Sequence, residues 1–231
     1  MIVAFDADDT LWHNEDEFQE AHRAFEALLA PWADAHTVDE TLYATEMRNL
    51  HRYGYGVKSF TLSMLETAVE ISGARADGSV IARIMALGHE LLDRPAELLD
   101  GVVEVLDALA HHDLMLITKG DLHHQLAKVA GSGLADRFWQ IEVVAEKDPA
   151  TYRGLLTRHE IPTDQFVMVG NSLRSDVLPV IELGARAVHV PYHVTWAHEA
   201  DHDDHDHPVP TLRRLTDLPA LIDGWNGAAA P

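Results

Sequence analysis

The stretch that decides the fold is the segment MIVAFDADDT, residues 1–10, in which a short apolar run is followed at once by acidic residues. Short runs of β-branched and large apolar side chains are typical of strands buried on both faces of a parallel sheet. We therefore expect a first strand at residues 1–5, starting at the first residue. Polar residues that directly follow such a strand lie at the carboxyl edge of the sheet, where open α/β folds bind ligands.

Four further segments have the character of buried strands, and helical patterns separate them. The predicted strands cover residues 114–117, 141–144, 166–169 and 187–190, and the predicted helices cover residues 102–110, 121–130, 149–159 and 176–183. Strands that alternate with helices predict an α/β fold, here a doubly wound parallel sheet with right-handed crossovers.

The segment between the first two strands is different, because residues 14–99 contain helical patterns and no comparable strand. Asn14 and Glu17 have the spacing of a capping box, which predicts that a helix begins there. Further helices are predicted at residues 39–52, 59–71 and 79–92. We therefore predict a discontinuous α/β core of residues 1–13 and 100–231, and an inserted helical domain of residues 14–99.

The composition limits the possible partners. The chain has 17 Lys and Arg against 38 Asp and Glu, a formal charge of −21, so we expect no nucleic-acid partner. The absence of cysteine excludes disulfides, thiolate metal sites and a cysteine nucleophile. No apolar run approaches the roughly 20 residues that span a bilayer, so we expect a cytoplasmic protein without a membrane partner, as a monomer or homodimer.

Polar residues follow four of the predicted strands. These residues are Asp6 and Asp8 after the first strand, Thr118 and Lys119 after the second, Lys147 after the third, and Asn171 to Asp176 after the fourth. The last three groups are each separated by about one strand–helix unit. Because the carboxyl ends of parallel strands meet at one edge, we expect these side chains to converge.

This set of side chains predicts metal-assisted phosphoryl transfer. Several carboxylates at one strand end repel one another unless a cation is present. Mg²⁺ suits such a site, since it binds one or two carboxylates and is usually shared with substrate phosphate, and Asp6 and Asp176 are its natural ligands. Lys147, the Thr118 hydroxyl and the backbone N–H groups near Lys119 would bind the phosphate.

The four motifs, in this order, resemble those of the haloacid dehalogenase superfamily, and the helical insert lies where that family has its C1 cap. The resemblance implies that Asp6 is a nucleophile that forms an aspartyl-phosphate, and that Asp8 is the general acid and base. It also implies that the Asp8 backbone carbonyl, Asp6, Asp176 and the Asn171 position hold Mg²⁺, while Thr118, Lys119 and Lys147 bind the transferring group.

Two residues depart from the family pattern. Position 9 is Asp where many members have Gly, and we expect its side chain to point away from the site or to cap the following turn. Position 171 is Asn where the fourth motif commonly has Asp. An Asn carbonyl can bind Mg²⁺ but adds no charge, so Asp176 is expected to carry more of the coordination.

We predict a Mg²⁺-dependent phosphatase that acts on a small phosphorylated metabolite. One alternative is a phosphomutase-like transferase, and a second is a metal-independent 2-haloacid dehalogenase, whose chemistry has no need of Asp8. A third is a non-catalytic metal-binding protein that uses the histidine-rich tract at residues 198–207. We interpret that tract as a solvated loop.

Overall fold

A computed structural model describes residues 1–194, 196–200 and 209–227. These residues contain five strands, β1 (Ile2–Phe5), β2 (Asp113–Lys119), β3 (Gln140–Val144), β4 (Phe166–Gly170) and β5 (Arg186–His189). The five form one parallel sheet in the order β3-β2-β1-β4-β5. Phe5 is in register with Leu116 of β2 and Val169 of β4, so the central strand directs Asp6 to the carboxyl edge between its two neighbours. The predicted doubly wound α/β class is confirmed.

The helices are α1 (Glu15–Leu29), α2 (Ala35–Tyr53), α3 (Val57–Ser72), α4 (Gly78–Asp93), α5 (Val102–Ala108), α6 (Leu122–Gly131), α7 (Pro149–Arg158), α8 (Leu178–Glu182), α9 (Ala197–Ala200) and α10 (Leu218–Gly227). The helices up to α8 lie close to the positions that the sequence predicts, and α9 and α10 were not predicted. For the helix predicted at residues 176–183, the predicted first residue is wrong, because α8 begins at Leu178. A π-helical turn at Leu173–Val177 precedes α8, and the Ser172 side chain caps that turn by accepting from Ser175 N.

The two faces of the sheet carry separate apolar clusters, because successive side chains of a strand point to opposite faces. Val3 and Phe5 of β1 pack in the cluster that contains Leu106 of α5. Ala4, between them, packs in the cluster that contains Tyr152 of α7. Both faces are covered, which is the reason that the central strands β1 and β4 are continuous apolar runs in the sequence.

The chain divides into two compact units. The first contains Met1–Glu15, Ala96–Lys119 and the described residues from Leu126 onward, and it holds the sheet. The second contains Asp16–Pro95 and Gly120–Gln125, and its apolar core includes Phe25, Leu42, Met64 and Ile84 from four successive helices. None of the helices in the described part of the chain is long and apolar enough to cross a membrane.

Candidate active site

A buried lysine joins two of the predicted site carboxylates. Lys147 Nζ donates to Asp6 Oδ1 and, at 2.7 Å, to Asp176 Oδ1. Asp6 follows β1, Lys147 follows β3 and Asp176 lies in the π-helical turn after β4, so residues from three parts of the chain meet here. Lys147 is 4% exposed and Asp176 is 1% exposed, so these charges interact in a medium of low polarity.

The burial of these groups shifts their protonation equilibria. Burial raises the pKa of Asp6 to about 7, opposed by Lys147 and reinforced by the charges of Asp176 and Asp8. Burial alone would lower the pKa of Lys147, but the carboxylates of Asp176 and Asp6 raise it well above its usual value. Lys147 therefore does not fully offset the effect of burial on the Asp6 carboxylate, and a further cation would stabilise its charged form.

Three oxygens surround the side-chain amide of Asn171. Its Oδ1 faces Asp6 Oδ2 at 3.2 Å, the Asp8 backbone carbonyl at 3.3 Å and Thr10 Oγ1 at 3.3 Å. Turning the amide over would place its NH₂ group there as a donor to all three. The amide nitrogen suits the cluster without a cation, and the amide oxygen suits it with one, because the Asp6 carboxylate and the Asp8 carbonyl are acceptors that repel a third acceptor unless positive charge is present.

The donor set fits a Mg²⁺ ion. It consists of a carboxylate, a backbone carbonyl and an amide, all of them oxygen ligands of the kind that this hard cation prefers. Neighbouring ligands of an octahedral ion bound at 2.0–2.1 Å lie about 3 Å apart, which is close to the oxygen separations around Asn171. Asp176 Oδ2 accepts from Ser172 N at 3.0 Å on the same loop, so Asn171 is held beside a second carboxylate.

Buried donors hold one carboxylate oxygen of Asp8. Its Oδ1 accepts from Trp12 Nε1 at 2.6 Å and from Lys128 Nζ at 2.5 Å. Trp12 is fully buried and the Lys128 side chain is 7% exposed, so both donors come from ordered surroundings. These contacts therefore fix the orientation of the Asp8 carboxylate, which lies two residues after Asp6 in the sequence.

Asp9 caps the first turn of α1, as expected. Its carboxylate accepts from Asn14 N at 2.9 Å and from Glu15 N at 3.0 Å. Its backbone has a φ of 61°, in the left-handed region that favours glycine, which accounts for the glycine in many family members. Burial raises the pKa of Asp9 to about 8, although the two N–H groups oppose this shift. Asp9 is therefore a structural residue next to the site.

The sequence predicted that Thr118 and Lys119 follow the second strand, and this is wrong. They are the last two residues of β2, because the strand extends further at this end than predicted. Thr118 is buried with 1% exposure. Lys119 Nζ donates to Ser175 Oγ at 3.0 Å and to Glu199 Oε1 at 2.8 Å. The ammonium of Lys119, predicted to bind phosphate, thus pairs with a carboxylate of this chain.

Sequence reasoning missed two charged residues of the site, Lys128 and Glu199. Glu199 lies at the start of the tract interpreted as a solvated loop, and that interpretation is wrong for this residue, because its side chain is 15% exposed and bonded to Ser175 Oγ at 3.1 Å. Burial would raise the pKa of Glu199, but Lys119 lowers it to about 2. His198 and Ala200 of the tract lie with Glu199 in α9, and residues 201–207 lie outside the described residues.

A parallel sheet in this strand order, with Asp6 and Asp8 after its central strand and a lysine that joins Asp6 to Asp176, is typical of hydrolases of the haloacid dehalogenase class. Residues 1–184 match the family model described as haloacid dehalogenase-like hydrolase, and the chain belongs to this family. No sequence among curated proteins matches the chain.

Solved structures agree with this membership. A haloacid dehalogenase-like hydrolase from Xanthomonas campestris is 42% identical, with a TM-score of 0.89 over 99% of this chain and 93% of that chain. The HAD-hydrolase YfnB from Bacillus subtilis, bound to magnesium, is 18% identical, with a TM-score of 0.64 over 96% and 98% of the two chains. A 2-haloacid dehalogenase from Pseudomonas syringae pv. Tomato is 24% identical, with a TM-score of 0.64 over 97% and 98%. The last two share the fold.

Proposed function

We propose that the protein is a Mg²⁺-dependent phosphatase that hydrolyses a small phosphomonoester through an aspartyl-phosphate on Asp6. The observation that carries this proposal is the oxygen cluster formed by Asp6 Oδ2, the Asp8 carbonyl and the Asn171 amide. Phosphoryl transfer uses a divalent cation at such a position, whereas attack of a carboxylate on the carbon of a haloacid does not.

Asp6, the Asp8 carbonyl, Asn171 and Asp176 would hold the ion. When bound, Mg²⁺ supplies positive charge that offsets repulsion between the nucleophile and the phosphate oxygens. The magnesium bound to YfnB shows that a protein of this fold accepts the ion, and we extend that property to this chain as part of the proposal.

In the first step Asp6 attacks phosphorus. Oδ2 belongs to the oxygen cluster, so we assign the attack to Oδ1, the oxygen next to Lys147. A bond forms between Oδ1 and phosphorus, the bond from phosphorus to the ester oxygen breaks, and the Asp8 carboxyl gives its proton to the leaving oxygen. Lys147 and the Thr118 hydroxyl orient and stabilise the transferring group, in which negative charge accumulates on the outer oxygens.

In the second step water releases the phosphate. The Asp8 carboxylate accepts a proton from water while the water oxygen bonds to phosphorus and the bond to Asp6 breaks. The products are inorganic phosphate, a free Asp6 carboxylate and a protonated Asp8 carboxyl, so the enzyme returns to its starting state. We assign both proton transfers to this Asp8 carboxyl, whose Oδ1 contacts Trp12 Nε1 and Lys128 Nζ.

We also propose that the helical insert, predicted at residues 14–99, acts as a cap. A cap excludes water, which strengthens the electrostatic interactions of the site, and it restricts the substrate to small molecules. Hydrolysis of a folded phosphoprotein as fast as of small esters would contradict this role.

The test is a panel of small phosphate esters, assayed for phosphate release with Mg²⁺ and with EDTA. We expect release that depends on Mg²⁺ and that Asp6→Asn lowers by at least 10²-fold. Asp148→Asn is a matched control, because Asp148 caps α7 through a 2.7 Å bond from Thr151 N and Asn caps a helix equally well. Its rate should equal that of the wild type.

Three other results would contradict the proposal. Halide release from a 2-haloacid that EDTA does not affect would identify a dehalogenase. Transfer of phosphate to an organic acceptor without free phosphate would identify a phosphomutase-like enzyme. Full activity of Asp6→Asn would remove the proposed nucleophile and favour a non-catalytic, metal-binding role.

A further inference from the structure

Lys128 is a buried cation that none of the four family motifs includes. It lies on α6, its side chain is 7% exposed, and its Nζ contacts Asp8 Oδ1 at 2.5 Å and Asn14 Oδ1 at 2.8 Å. The ammonium also lies 5.8 Å from the centre of the Trp12 ring. A single lysine thus contacts three residues of the segment that follows β1.

Burying a lysine costs free energy, which indicates that Lys128 has a role other than stabilising the fold. Lysine is rarely buried, and an apolar side chain of similar volume often gives equal or greater stability than a buried ion pair. What an apolar side chain would not provide is a charged donor aimed at one carboxylate oxygen. Lys128 and Trp12 donate to the same oxygen of Asp8, which fixes the rotation of the carboxylate as well as its position.

We propose that Lys128 is a positioning residue that aligns Asp8 for proton transfer to the leaving group. The inference rests on the proposed phosphatase function. During formation of the aspartyl-phosphate, the proton moves from the Asp8 carboxyl to the ester oxygen as the bond from that oxygen to phosphorus breaks. Lys128 acts only through the direction of the Asp8 carboxylate.

A positioning role predicts that the effect of losing Lys128 depends on the leaving group. An alkyl phosphate leaves as a strongly basic alkoxide and needs the proton of Asp8, whereas p-nitrophenolate is stable without protonation. The value of kcat/KM reports the steps up to the first irreversible one, which here is formation of the aspartyl-phosphate. Misalignment of Asp8 should therefore lower kcat/KM for alkyl esters and leave that for p-nitrophenyl phosphate nearly unchanged.

The experiment measures kcat/KM for p-nitrophenyl phosphate and for the best alkyl phosphate of a panel, with Mg²⁺ present. For Lys128→Met we expect a loss of at least about tenfold on the alkyl ester and less than about threefold on the p-nitrophenyl ester. Lys128→Arg, which keeps a charged donor, should recover most of the alkyl activity. Arg137→Met is the control for loss of one cation, since Arg137 precedes β3 and pairs with the exposed Asp107.

A double variant tests whether Lys128 acts through Asp8. If it does, Lys128→Met should lower the alkyl activity of Asp8→Asn by less than about twofold, because effects on one shared group are not additive. Thermal melting of each variant separates misfolding from loss of alignment.

If Lys128→Met lost the same fraction of kcat/KM on both esters, or lost none on either, the inference would be overturned. Hydrolysis of the esters by the wild type would still support the proposed function. Additive losses in the double variant would also overturn the inference. A wild-type enzyme inactive on every ester of the panel would overturn the proposed function, and the inference with it.

Discussion

A Cβ atom on Gly170 would lie 2.2 Å from Oδ2 of Asp176, so the backbone at the end of β4 and the carboxylate after it are in direct contact. The contact holds Asp176 where its other oxygen accepts from Lys147. No side chain larger than hydrogen fits at residue 170 unless this carboxylate moves.

Gly170→Ala should therefore destabilise the protein and displace Asp176. Overpacking of this kind typically costs about 1–3 kcal/mol, and we expect the upper end because the carboxylate is buried and held by two hydrogen bonds. The free energy of unfolding in urea is the measurement. Gly154→Ala is the matched control, since nothing lies within 4 Å of a Cβ there and the residue is inside α7. It should stabilise the protein by about 0.5–1 kcal/mol, and equal effects of the two substitutions would refute this explanation.

Asn171→Asp should increase the affinity for divalent cations. A carboxylate at this position adds a negative charge to the oxygens of Asp6 and Asp8, and the number of ligand charges sets affinity in such sites. We expect the dissociation constant for Mg²⁺, measured by calorimetry, to fall by roughly tenfold, and Asn171→Leu to raise it.

The thermal stability of Asn171→Asp without metal is a second measurement of the effect of this substitution. The added charge should lower the melting temperature of the metal-free variant, because like charges then face one another. An unchanged affinity in both variants would mean that Asn171 does not face the ion.

The pairing of Glu199 with Lys119 should make stability depend on pH. Burial opposes ionisation of Glu199, but Lys119 lowers its pKa to about 2 from a usual value near 4.5. A lowered carboxyl pKa contributes stability that is present above the usual value and is lost as the pH falls towards the folded-state value. Glu199→Gln should therefore cost on the order of 2–3 kcal/mol at pH 7, and less as the pH falls from 4.5 towards 2.

Glu146→Gln is the control for this measurement. Its carboxylate lies 3.6 Å from the same Lys119 Nζ but is 45% exposed, and exposed pairs contribute about 0–1 kcal/mol. The free energy of unfolding in urea, measured at several pH values, compares the wild type, Glu199→Gln and Glu146→Gln. A difference between Glu199→Gln and wild type that stayed constant with pH would contradict the assigned pKa shift.

The sheet could be predicted because its signal is local. The central strands contain apolar runs buried on both faces, and this burial follows from the residues themselves, as for Phe166 to Gly170 of β4, all of them buried. The first and last residues of helices and strands were predicted less well, because they depend on contacts with residues elsewhere in the fold. The turn before α8 begins at Leu173 because the Ser172 hydroxyl caps it and Asp176 points inward to Lys147.

The site could be predicted as far as its motifs extend. Asp6 and Lys147 were expected to meet, and the structure joins them. Lys128 and Glu199 carry no such signal, because their partners Asp8 and Lys119 lie 120 and 80 residues away in the sequence. Only the fold brings such residues together, and a buried charge whose partner is distant looks like a surface charge in the sequence.

In the proposed function, Asp6 captures the phosphoryl group. The most direct measurement is mass spectrometry of peptides from enzyme mixed with Mg²⁺ and a good phosphate ester and quenched in acid within the first turnover. We predict a phosphoryl group on the peptide that contains Asp6, present in Asp8→Asn as well and absent from Asp6→Asn. An unmodified Asp6 peptide during active turnover, or an organic acyl adduct on Asp6 in place of phosphate, would contradict the account.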